Sequence, residues 1–275
     1  MGGNFVFRLV FVDVDGTLVG KDGVPPCVWP RVEALRAKGV RLSLITGRPG
    51  RGETLGYARR LDPTGLHVFE SGAVVLALSQ DPHGPPATPF QVEALPQGAA
   101  QEAIRLARRL GLPLEGYTAQ GGFYVEGDSP LLQAHQDLLG LKAEGADLLR
   151  LEEPLVRLQV LADAHAPLGA LLDSLSPELA AHIAESPKMP GVRFVSLTKR
   201  GVSKLSAAQV VAEAHGLSLA ACAMVGDGEN DLELIRAVGL GIAMGNAPEN
   251  VKRAAQRVVA PVEACGLAEA LDLLG

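Results

Sequence analysis

One stretch near the start of the chain, Phe11-Val12-Asp13-Val14-Asp15-Gly16-Thr17-Leu18, constrains its fold and chemistry more than any other. The apolar run Phe5–Val10 leads into it and predicts a buried strand. Two carboxylates at the end of such a strand, beside a glycine turn, are costly to place unless another charge compensates them. A divalent cation would do so, and a phosphate group could then bind to the cation. The stretch alone also fits an Asp-rich turn after a core strand, so the choice depends on the rest of the chain.

The composition argues against several kinds of partner. The 275 residues are enough for one large core or for two domains, and 47% hydrophobic with 20% charged residues is ordinary for a soluble globular protein. The net charge of −6, without a long basic block, favours neither nucleic acid nor an anionic membrane as a partner.

Further features of the chain predict a cytoplasmic protein. No segment is long and apolar enough for a membrane span, and the N-terminus shows no signal-peptide pattern. Cys27, Cys222 and Cys265 are far apart, lack metal-ligand spacing and cannot all pair. This is typical of a reducing compartment, and the pattern carries no prediction of oligomeric state.

A repeated strand–turn–helix order predicts a parallel sheet in the first 80 or so residues. After the aspartate turn, the predicted elements are a helix at Val28–Ala37, a strand at Val40–Ile45, a helix at about Glu53–Leu61 and a strand at Leu66–Phe69. Polar groups at the carboxyl ends of parallel strands converge in one crevice. The candidates at such ends are Asp13, Asp15, Thr46, Arg48 and Ser71.

The segment Asp81-Pro82-His83-Gly84-Pro85-Pro86 interrupts this order and predicts a linker. Beyond it, helices and strands no longer follow the same alternation, so we predict an inserted α+β unit over 82–197 and a core domain made of 1–81 and 198–275. The predicted helices of the insertion are Ala99–Leu110, Leu131–Leu139 and Leu168–Leu175. Its predicted strands are Gly122–Val125, Leu155–Leu161, His182–Glu185 and Arg193–Leu197.

The first pattern resumes at Val202. The predicted helices are Val202–His215, Leu232–Ala237, Glu249–Gln256 and Leu267–Leu274, and the predicted strands are Ala221–Val225, Leu240–Met244 and Val258–Val259. Lys204 falls in the first turn of a helix, where the helix dipole is unfavourable for a cation. Taken alone, a lysine there also fits a solvated surface position.

Four motifs in this order carry a resemblance to a known family. They are Asp13-Val14-Asp15-Gly16-Thr17-Leu18, Ile45-Thr46-Gly47-Arg48, Gly201-Val202-Ser203-Lys204 and Gly226-Asp227-Gly228-Glu229-Asn230-Asp231, and the stretch Gly239–Ala247 matches as well. The chain resembles the haloacid dehalogenase (HAD) superfamily of phosphohydrolases, and within it the Cof-like group with a C2B-type cap. The resemblance implies an α/β fold, with a Rossmann-like parallel-sheet core and an inserted α+β cap that sets substrate specificity.

The resemblance also implies a role for each matching carboxylate. Asp13 would be the nucleophile that forms an aspartyl-phosphate, and Asp15 would be general acid and then general base. The ligands of Mg²⁺ would be Asp13, the backbone carbonyl of Asp15 and Asp227. Asp231 or Asn230 would orient the metal's waters or bind the metal directly, and the resemblance leaves this open.

The phosphate and substrate contacts follow in the same way. Thr46 and the amide of Gly47 would bind phosphate oxygens, and Lys204 would supply positive charge, so Thr46 and Lys204 join the catalytic set. Arg48 and Ser71 are candidates for substrate contact, with plain structural roles as the alternative.

The function implied is a Mg²⁺-dependent phosphatase acting on a small phosphorylated metabolite, either a sugar phosphate or a phosphorylated organic acid. An alternative is phosphomutase-type transfer on a sugar phosphate, because relatives with the same cap type pass the phosphoryl group to a second alcohol instead of water. A non-catalytic ligand sensor would be expected to lose Asp13 or Asp15, and both are present.

Overall fold

The computed structural model describes residues 7–81, 83–118, 120–186 and 188–275. The strands of this part are β1 (Leu9–Val12), β2 (Arg41–Leu44), β3 (Leu66–Phe69), β4 (Val74–Leu78), β5 (Ala87–Val92), β6 (Leu114–Thr118), β7 (Phe123–Glu126), β8 (Glu144–Gly145), β9 (Leu155–Ala162), β10 (Leu179–Ser186), β11 (Met189–Lys199), β12 (Cys222–Gly226), β13 (Leu240–Ala243) and β14 (Arg257–Val258). Its helices are α1 (Val28–Ala37), α2 (Gly52–Leu61), α3 (Gln97–Arg109), α4 (Pro130–Leu139), α5 (Leu168–Asp173), α6 (Lys204–Ala214), α7 (Leu232–Ala237), α8 (Glu249–Ala254) and α9 (Gly266–Asp272).

The core is a five-stranded parallel sheet in the order β14-β13-β12-β1-β2. Alternate side chains of β1 enter opposite cores, as the two-residue period of a strand requires. Val10 and Val12 join the cluster under α1 and α9, while Leu9 and Phe11 join the cluster under α6 and α7. Helices on both faces of a parallel sheet confirm the predicted fold class.

The third predicted strand is only loosely joined to this sheet. β3 is linked to β2 by the single parallel bridge Ile45↔Val68 and pairs antiparallel with β4 instead. Side chains replace part of the missing ladder, since the amide of Leu44 donates to Nδ1 of His67 at 2.9 Å and Ser43 Oγ donates to the carbonyl of Leu66 at 2.7 Å. The prediction that β3 lies within the parallel sheet is therefore wrong.

The described residues of the predicted linker, 81 and 83–86, lie in the loop of a hairpin. β4 and β5 flank it and pair antiparallel, so β3, β4 and β5 form a three-stranded sheet. Residues 87–92, which the sequence analysis places in the insertion, are thus hydrogen-bonded to the strands that follow β2. Proline and glycine are common both in linkers and in hairpin loops, so the sequence alone does not distinguish the two.

The middle of the chain forms a second sheet of six strands, in the order β10-β11-β9-β6-β7-β8. The pairs are antiparallel except β7 with β8. Helix α3 packs on this sheet through alanines and leucines, a cluster that includes Ile104 and Val160. The helices and strands predicted for this segment are present, but β10 and β11 extend beyond their predicted bounds at both ends, and β6 and β8 were not predicted.

Two further sequence predictions concern the start of the first strand and the state of the cysteines. Phe5 and Val6, which the sequence analysis placed in the first strand, lie outside the described residues, and β1 begins at Leu9. Cys27 and Cys265 form a disulfide between the starts of α1 and α9, and Cys222 is free and buried. Within the described residues, no helix has both the length and the apolar character needed to cross a membrane.

Candidate active site

The carboxyl ends of three neighbouring strands place the predicted residues at one edge of the parallel sheet. Asp13 follows β1, Thr46 follows β2 and Asp227 follows β12. Gly16 makes the turn after Asp13 possible, because its φ is +76° and a Cβ atom there would lie 2.0 Å from Oδ2 of Asp227. The glycine of the first motif therefore lets two acidic segments approach each other.

Lys204 lies behind Asp13 and joins two carboxylates. Its Nζ donates to Oδ1 of Asp13 and to Oδ1 of Asp231, both at 2.6 Å. All three side chains are buried. Although burial lowers the pKa of Lys204, the charges of Asp13 and Asp231 outweigh it and raise that pKa above its usual value. These partners explain a lysine in the first turn of α6, where Ser203 caps the helix.

Asp231 is fully engaged by the protein. Its Oδ1 accepts from Lys204, and its Oδ2 accepts from the backbone amides of Asp227 and Gly228 at 3.1 Å and 3.0 Å. The side chain therefore fixes the acidic loop after β12 and positions Lys204.

Asp227 is oriented by side chains that the sequence analysis did not single out. Thr17 Oγ1 donates to its Oδ1 at 3.1 Å, and Asn246 Nδ2 donates to its Oδ2 at 2.9 Å. Asn246 also donates to the carbonyl of Gly16 and accepts from the amide of Val262. Both residues stand in motifs already quoted, the first motif and the stretch Gly239–Ala247, and only their role was missed.

The acidic residues of this edge fit a hard divalent cation. Ligand atoms of Asp13, Asp227 and Asp231 all lie within 4.8 Å of one another. Burial raises the pKa of Asp13 to about 7 and, with the charge of Asp13, raises the pKa of Asp227 well above its usual value. A cation held by these carboxylates would lower both pKa values, and oxygen ligands are the kind that Mg²⁺ prefers.

Asp15 faces away from this cluster and pairs with Arg48. The guanidinium donates from Nε to Oδ2 at 2.8 Å and from Nη2 to Oδ1 at 2.6 Å, a two-pronged contact. Arg48 is buried, while the side chain of Asp15 is 32% exposed. The predicted acid–base group is thus held, in this arrangement, by the predicted substrate-binding arginine.

Thr46, Gly47 and Ser71 form a second wall beside Asp13. The amide of Ser71 donates to the carbonyl of Thr46 at 3.1 Å, and a Cβ atom on Gly47 would lie 3.3 Å from Oγ of Ser71. Ser71 and the preceding Glu70 have positive φ values, 58° and 52°, which are uncommon for residues other than glycine. This turn is held in an unfavourable backbone conformation at the edge of the site.

The site opens into a cavity of about 630 Å³ between the parallel sheet and the inserted unit. The predicted residues that line it are Asp13, Asp15, Thr46, Gly47, Arg48, Ser71, Asp227 and Asn230. Lys204 and Asp231 are not part of the lining and act through Asp13 and the acidic loop. The six-stranded sheet supplies the opposite wall, including Arg157, Gln159 and Phe194.

The chain's likeness to known proteins agrees with this geometry. The family model described as haloacid dehalogenase-like hydrolase matches residues 10–271. The chain belongs to the haloacid dehalogenase-like hydrolases. The resemblance inferred from the four motifs, including the Cof-like group, is confirmed, and so is the assignment as an enzyme of the phosphatase type.

Relatives of this HAD hydrolase are aligned over nearly their whole length. A phosphoglycolate phosphatase of Natronomonas pharaonis is 28% identical over 267 residues, 95% of each chain. The 5-amino-6-(5-phospho-D-ribitylamino)uracil phosphatase YitU of Bacillus subtilis is 24% identical over 271 residues, 96% of each chain. The solved structure of the HAD subclass IIB sugar phosphatase BT4131 superposes with a TM-score of 0.82 at 22% identity, covering 98% of this chain and 99% of that one, and so supports the fold.

A buried polar network on the inserted unit was missed by the sequence analysis of this HAD hydrolase. Arg157 Nε donates to Oε2 of Glu70 at 2.7 Å, which joins the insertion to the turn after β3. Burial raises the pKa of Glu70, and the guanidinium opposes that shift. His135 contacts Glu115 at 2.8 Å, and Gln159 Nε2 donates to Glu115 at 2.8 Å. Polar residues at the inward positions of predicted strands, such as Arg157 and Gln159 in β9, were the available signal.

Proposed function

We propose that this HAD hydrolase is a Mg²⁺-dependent phosphatase of small phosphorylated metabolites, working through an aspartyl-phosphate on Asp13. One observation carries the proposal: Asp13 is the carboxylate that lines the cavity, contacts Lys204 and belongs to the acidic cluster. Nucleophile, counter-charge and metal ligands thereby meet at a single side chain.

Asp13 has an oxygen to spare for the reaction. Oδ1 accepts from Lys204, and within the described residues Oδ2 has no hydrogen-bond donor. Oδ2 attacks phosphorus, a new O–P bond forms, and the bond from phosphorus to the leaving oxygen breaks. Lys204 holds the carboxylate in place and limits the repulsion between it and the phosphate. When bound by Asp13, Asp227 and the carbonyl of Asp15, Mg²⁺ would neutralise charge on the transferring group.

Asp15 transfers the protons. It gives a proton to the leaving oxygen, and later takes one from the water that attacks phosphorus and breaks the Asp13–phosphate bond. Arg48 donates two hydrogen bonds to the Asp15 carboxylate, so the acid step requires Arg48 to release that carboxylate. A bound phosphate would attract the guanidinium of Arg48 away from Asp15. Thr46, Gly47 and Ser71 line the same cavity and would bind the phosphate oxygens.

The direct test is a screen of phosphorylated metabolites with and without Mg²⁺, ranked by kcat/KM. We expect release of inorganic phosphate that stops on exhaustive chelation and returns with Mg²⁺. Activity that survives chelation unchanged would contradict the metal assignment.

Phosphoryl transfer to a second alcohol is the alternative, since the aspartyl-phosphate is common to both reactions. Incubation with a hexose 1-phosphate separates them, because a mutase yields the 6-phosphate and a phosphatase yields free phosphate. We expect free phosphate, as the cavity opens to solvent beside Asp15.

The division into a core and a specificity cap, and the cytoplasmic location, are part of the proposal. The six-stranded sheet forms the wall opposite Asp13, which supports a cap role. The disulfide Cys27–Cys265 is an argument against a cytoplasmic location, because disulfides persist mainly in oxidising compartments. Trapping of free thiols in fresh lysate, followed by mass spectrometry, shows which state the cell maintains.

A further inference from the structure

Two groups on the wall opposite Asp13 have hydrogen-bonding capacity that the protein does not use. His135 and Arg157 both line the cavity and are otherwise buried, at 6% and 1% exposure. Within the described residues, Nε2 of His135 and Nη2 of Arg157 have no hydrogen-bond partner, and neither is among the enclosed polar atoms that lack one. Because both residues line the cavity, these are the atoms with which they can contact a bound molecule.

The two groups are held close together by one amide. Gln159 Oε1 accepts from Nη1 of Arg157, and Gln159 Nε2 donates to Glu115 Oε2 at 2.8 Å. Glu115 in turn accepts from Nδ1 of His135 at 2.8 Å. The guanidinium and the imidazole thus flank the Gln159 side chain on the same wall.

Glu115 determines which nitrogen of His135 carries the hydrogen. The Glu115 carboxylate is fully buried and also accepts from the hydroxyl of Tyr117 at 2.7 Å. Since a carboxylate only accepts, Nδ1 of His135 is the donor in that contact. In the neutral imidazole Nε2 is then an acceptor, and it faces the cavity beside a guanidinium donor.

The charge of this wall disfavours a second anion. Arg157 is paired with Glu70, and His135 is paired with Glu115, so the four side chains carry one net negative charge while the imidazole is neutral. If the imidazole takes a proton, the sum is zero. In neither state is there positive charge left for a carboxylate, and Glu185 adds a further acidic group to the lining.

We infer that His135 and Arg157 bind a hydroxyl group of the leaving group, so that the cavity selects a polyol or sugar phosphate over a phosphorylated acid. This rests on the proposed phosphatase function. A hydroxyl can donate to Nε2 of His135 and accept from the guanidinium of Arg157 at once, whereas a carboxylate has no proton to donate. Gln159, Glu115 and Glu70 are positioning residues that hold these two groups.

Matched substrates test the inference without any substitution. Glycerol 3-phosphate and 3-phosphoglycerate share a three-carbon skeleton, and sorbitol 6-phosphate and 6-phosphogluconate share a six-carbon one; within each pair only the terminal group changes from CH₂OH to carboxylate. In the pair that the enzyme hydrolyses with the higher kcat/KM, we expect kcat/KM to be roughly tenfold or more higher for the hydroxyl member than for the carboxylate member. A preference for the carboxylate member in that pair, or equal rates, overturns the inference.

A variant of His135 tests the residue assignment. The amide of Asn in His135→Asn can still donate to Glu115 in place of Nδ1, while the atom at the Nε2 position is removed. We expect kcat/KM for the polyol phosphate to fall by about 10–100-fold more than for p-nitrophenyl phosphate, which has no hydroxyl to bind. An equal loss on both substrates would show a structural role only. His165→Asn, on an exposed histidine of the same unit, is the matched control, and thermal unfolding checks that each variant is folded.

The aryl phosphate separates failure of this inference from failure of the proposed function. If wild type does not hydrolyse it, or if Asp13→Ala hydrolyses it equally well, the proposed function is wrong. If hydrolysis depends on Asp13 and the carboxylate substrates are preferred, only the hydroxyl assignment is wrong. Should His135→Asn fail to fold, the substrate pairs measured on wild type still decide.

Discussion

The two walls of the cavity both contain buried charges, but they balance them differently. On the core wall, Lys204 contacts two buried aspartates, and Asp227 adds a third carboxyl group that has no cationic partner among the described residues. On the opposite wall, Arg157 has Glu70 and Glu115 has His135. The core wall therefore has an excess of carboxyl groups that fits a bound cation, while the other wall is close to balanced and offers hydrogen bonds. In the proposed function, the core wall carries the reaction and the opposite wall recognises the substrate.

The largest effect is expected at the core wall. Asp13→Ala removes the nucleophile and one carboxylate of the acidic cluster together, so kcat should fall by about 10⁴–10⁶-fold and no phosphoenzyme should form. Mass spectrometry of acid-quenched protein after mixing with an aryl phosphate measures the phosphoenzyme. Label on the Asp13→Ala protein, or on a histidine or serine of the wild type, would contradict the assignment.

Asp15→Asn should have the next largest effect and a different signature. The variant keeps the backbone carbonyl proposed to bind the metal but loses the proton carrier, so turnover should fall by roughly 10²–10⁴-fold. An aryl phosphate needs little protonation of its leaving group, so Asp13 is still phosphorylated and the phosphoenzyme accumulates. The same quenched-protein measurement detects it, and absence of accumulation would remove Asp15 from the hydrolysis step.

The sequence predicted the core wall far better than the opposite one, because the ends of parallel strands locate the residues of the core wall and no comparable rule locates those of the opposite wall. Asp13, Thr46 and Asp227 each follow a predicted strand, so their meeting point followed from the parallel topology. Arg157 lies in the six-stranded sheet, and Glu70 follows β3 of a different sheet. The fold must therefore be known before the two residues can be paired.

The disulfide and the pairing of β3 were also not predicted, because both depend on the fold. The disulfide joins residues 238 positions apart, and no local pattern marks either cysteine. β3 turned away from the parallel sheet because its partner β4, only a short turn later in the chain, offers an antiparallel ladder. Helices α1 and α7 were predicted with their observed bounds, and in α1 the buried residues Val28, Val32 and Leu35 recur at helical spacing.

Removing a charge from the wall opposite Asp13 should lower the stability of the protein more than it lowers the rate of the reaction. Glu70→Gln leaves the buried Arg157 without its carboxylate, and loss of one partner of a buried pair costs about 3 kcal/mol or more in free energy of unfolding. The matched control is Glu93→Gln, which breaks the exposed pair between Glu93 and Lys199 and should cost less than about 1 kcal/mol. Denaturant unfolding measures both, and equal costs would show that the Glu70–Arg157 pair is not effectively buried.

The smallest effect concerns a buried group of the core that is held neutral. His67 accepts from the amide of Leu44 and contacts the carbonyl of Asp62 at 2.8 Å, which suits the neutral ring, and burial lowers its pKa to about 4. Between pH 6.5 and 4, His67 binds a proton in the unfolded chain but not in the folded protein. Stability is thus unaffected above pH 6.5 and falls as the pH is lowered through this window, by up to about 3 kcal/mol.

The measurement is the free energy of unfolding of wild type and His67→Gln from pH 7 to pH 4. The difference between them should shrink as the pH falls, because only wild type carries the histidine penalty. A difference that stays constant with pH would show that the pKa of His67 is the same in the folded and the unfolded protein, and would contradict the prediction.

The disulfide between Cys27 and Cys265 changes the topology of the molecule as well as its cross-linking. The bond closes a covalent ring that contains every residue between these two positions, including the whole of the six-stranded sheet. One peptide-bond cut in the exposed hairpin loop that contains His83 and Pro85 would then open the ring without releasing a fragment. Such a nicked protein would run as one species until a thiol reductant is added and would then separate into two, so the oxidised protein behaves toward a single cut within the ring as a circular molecule.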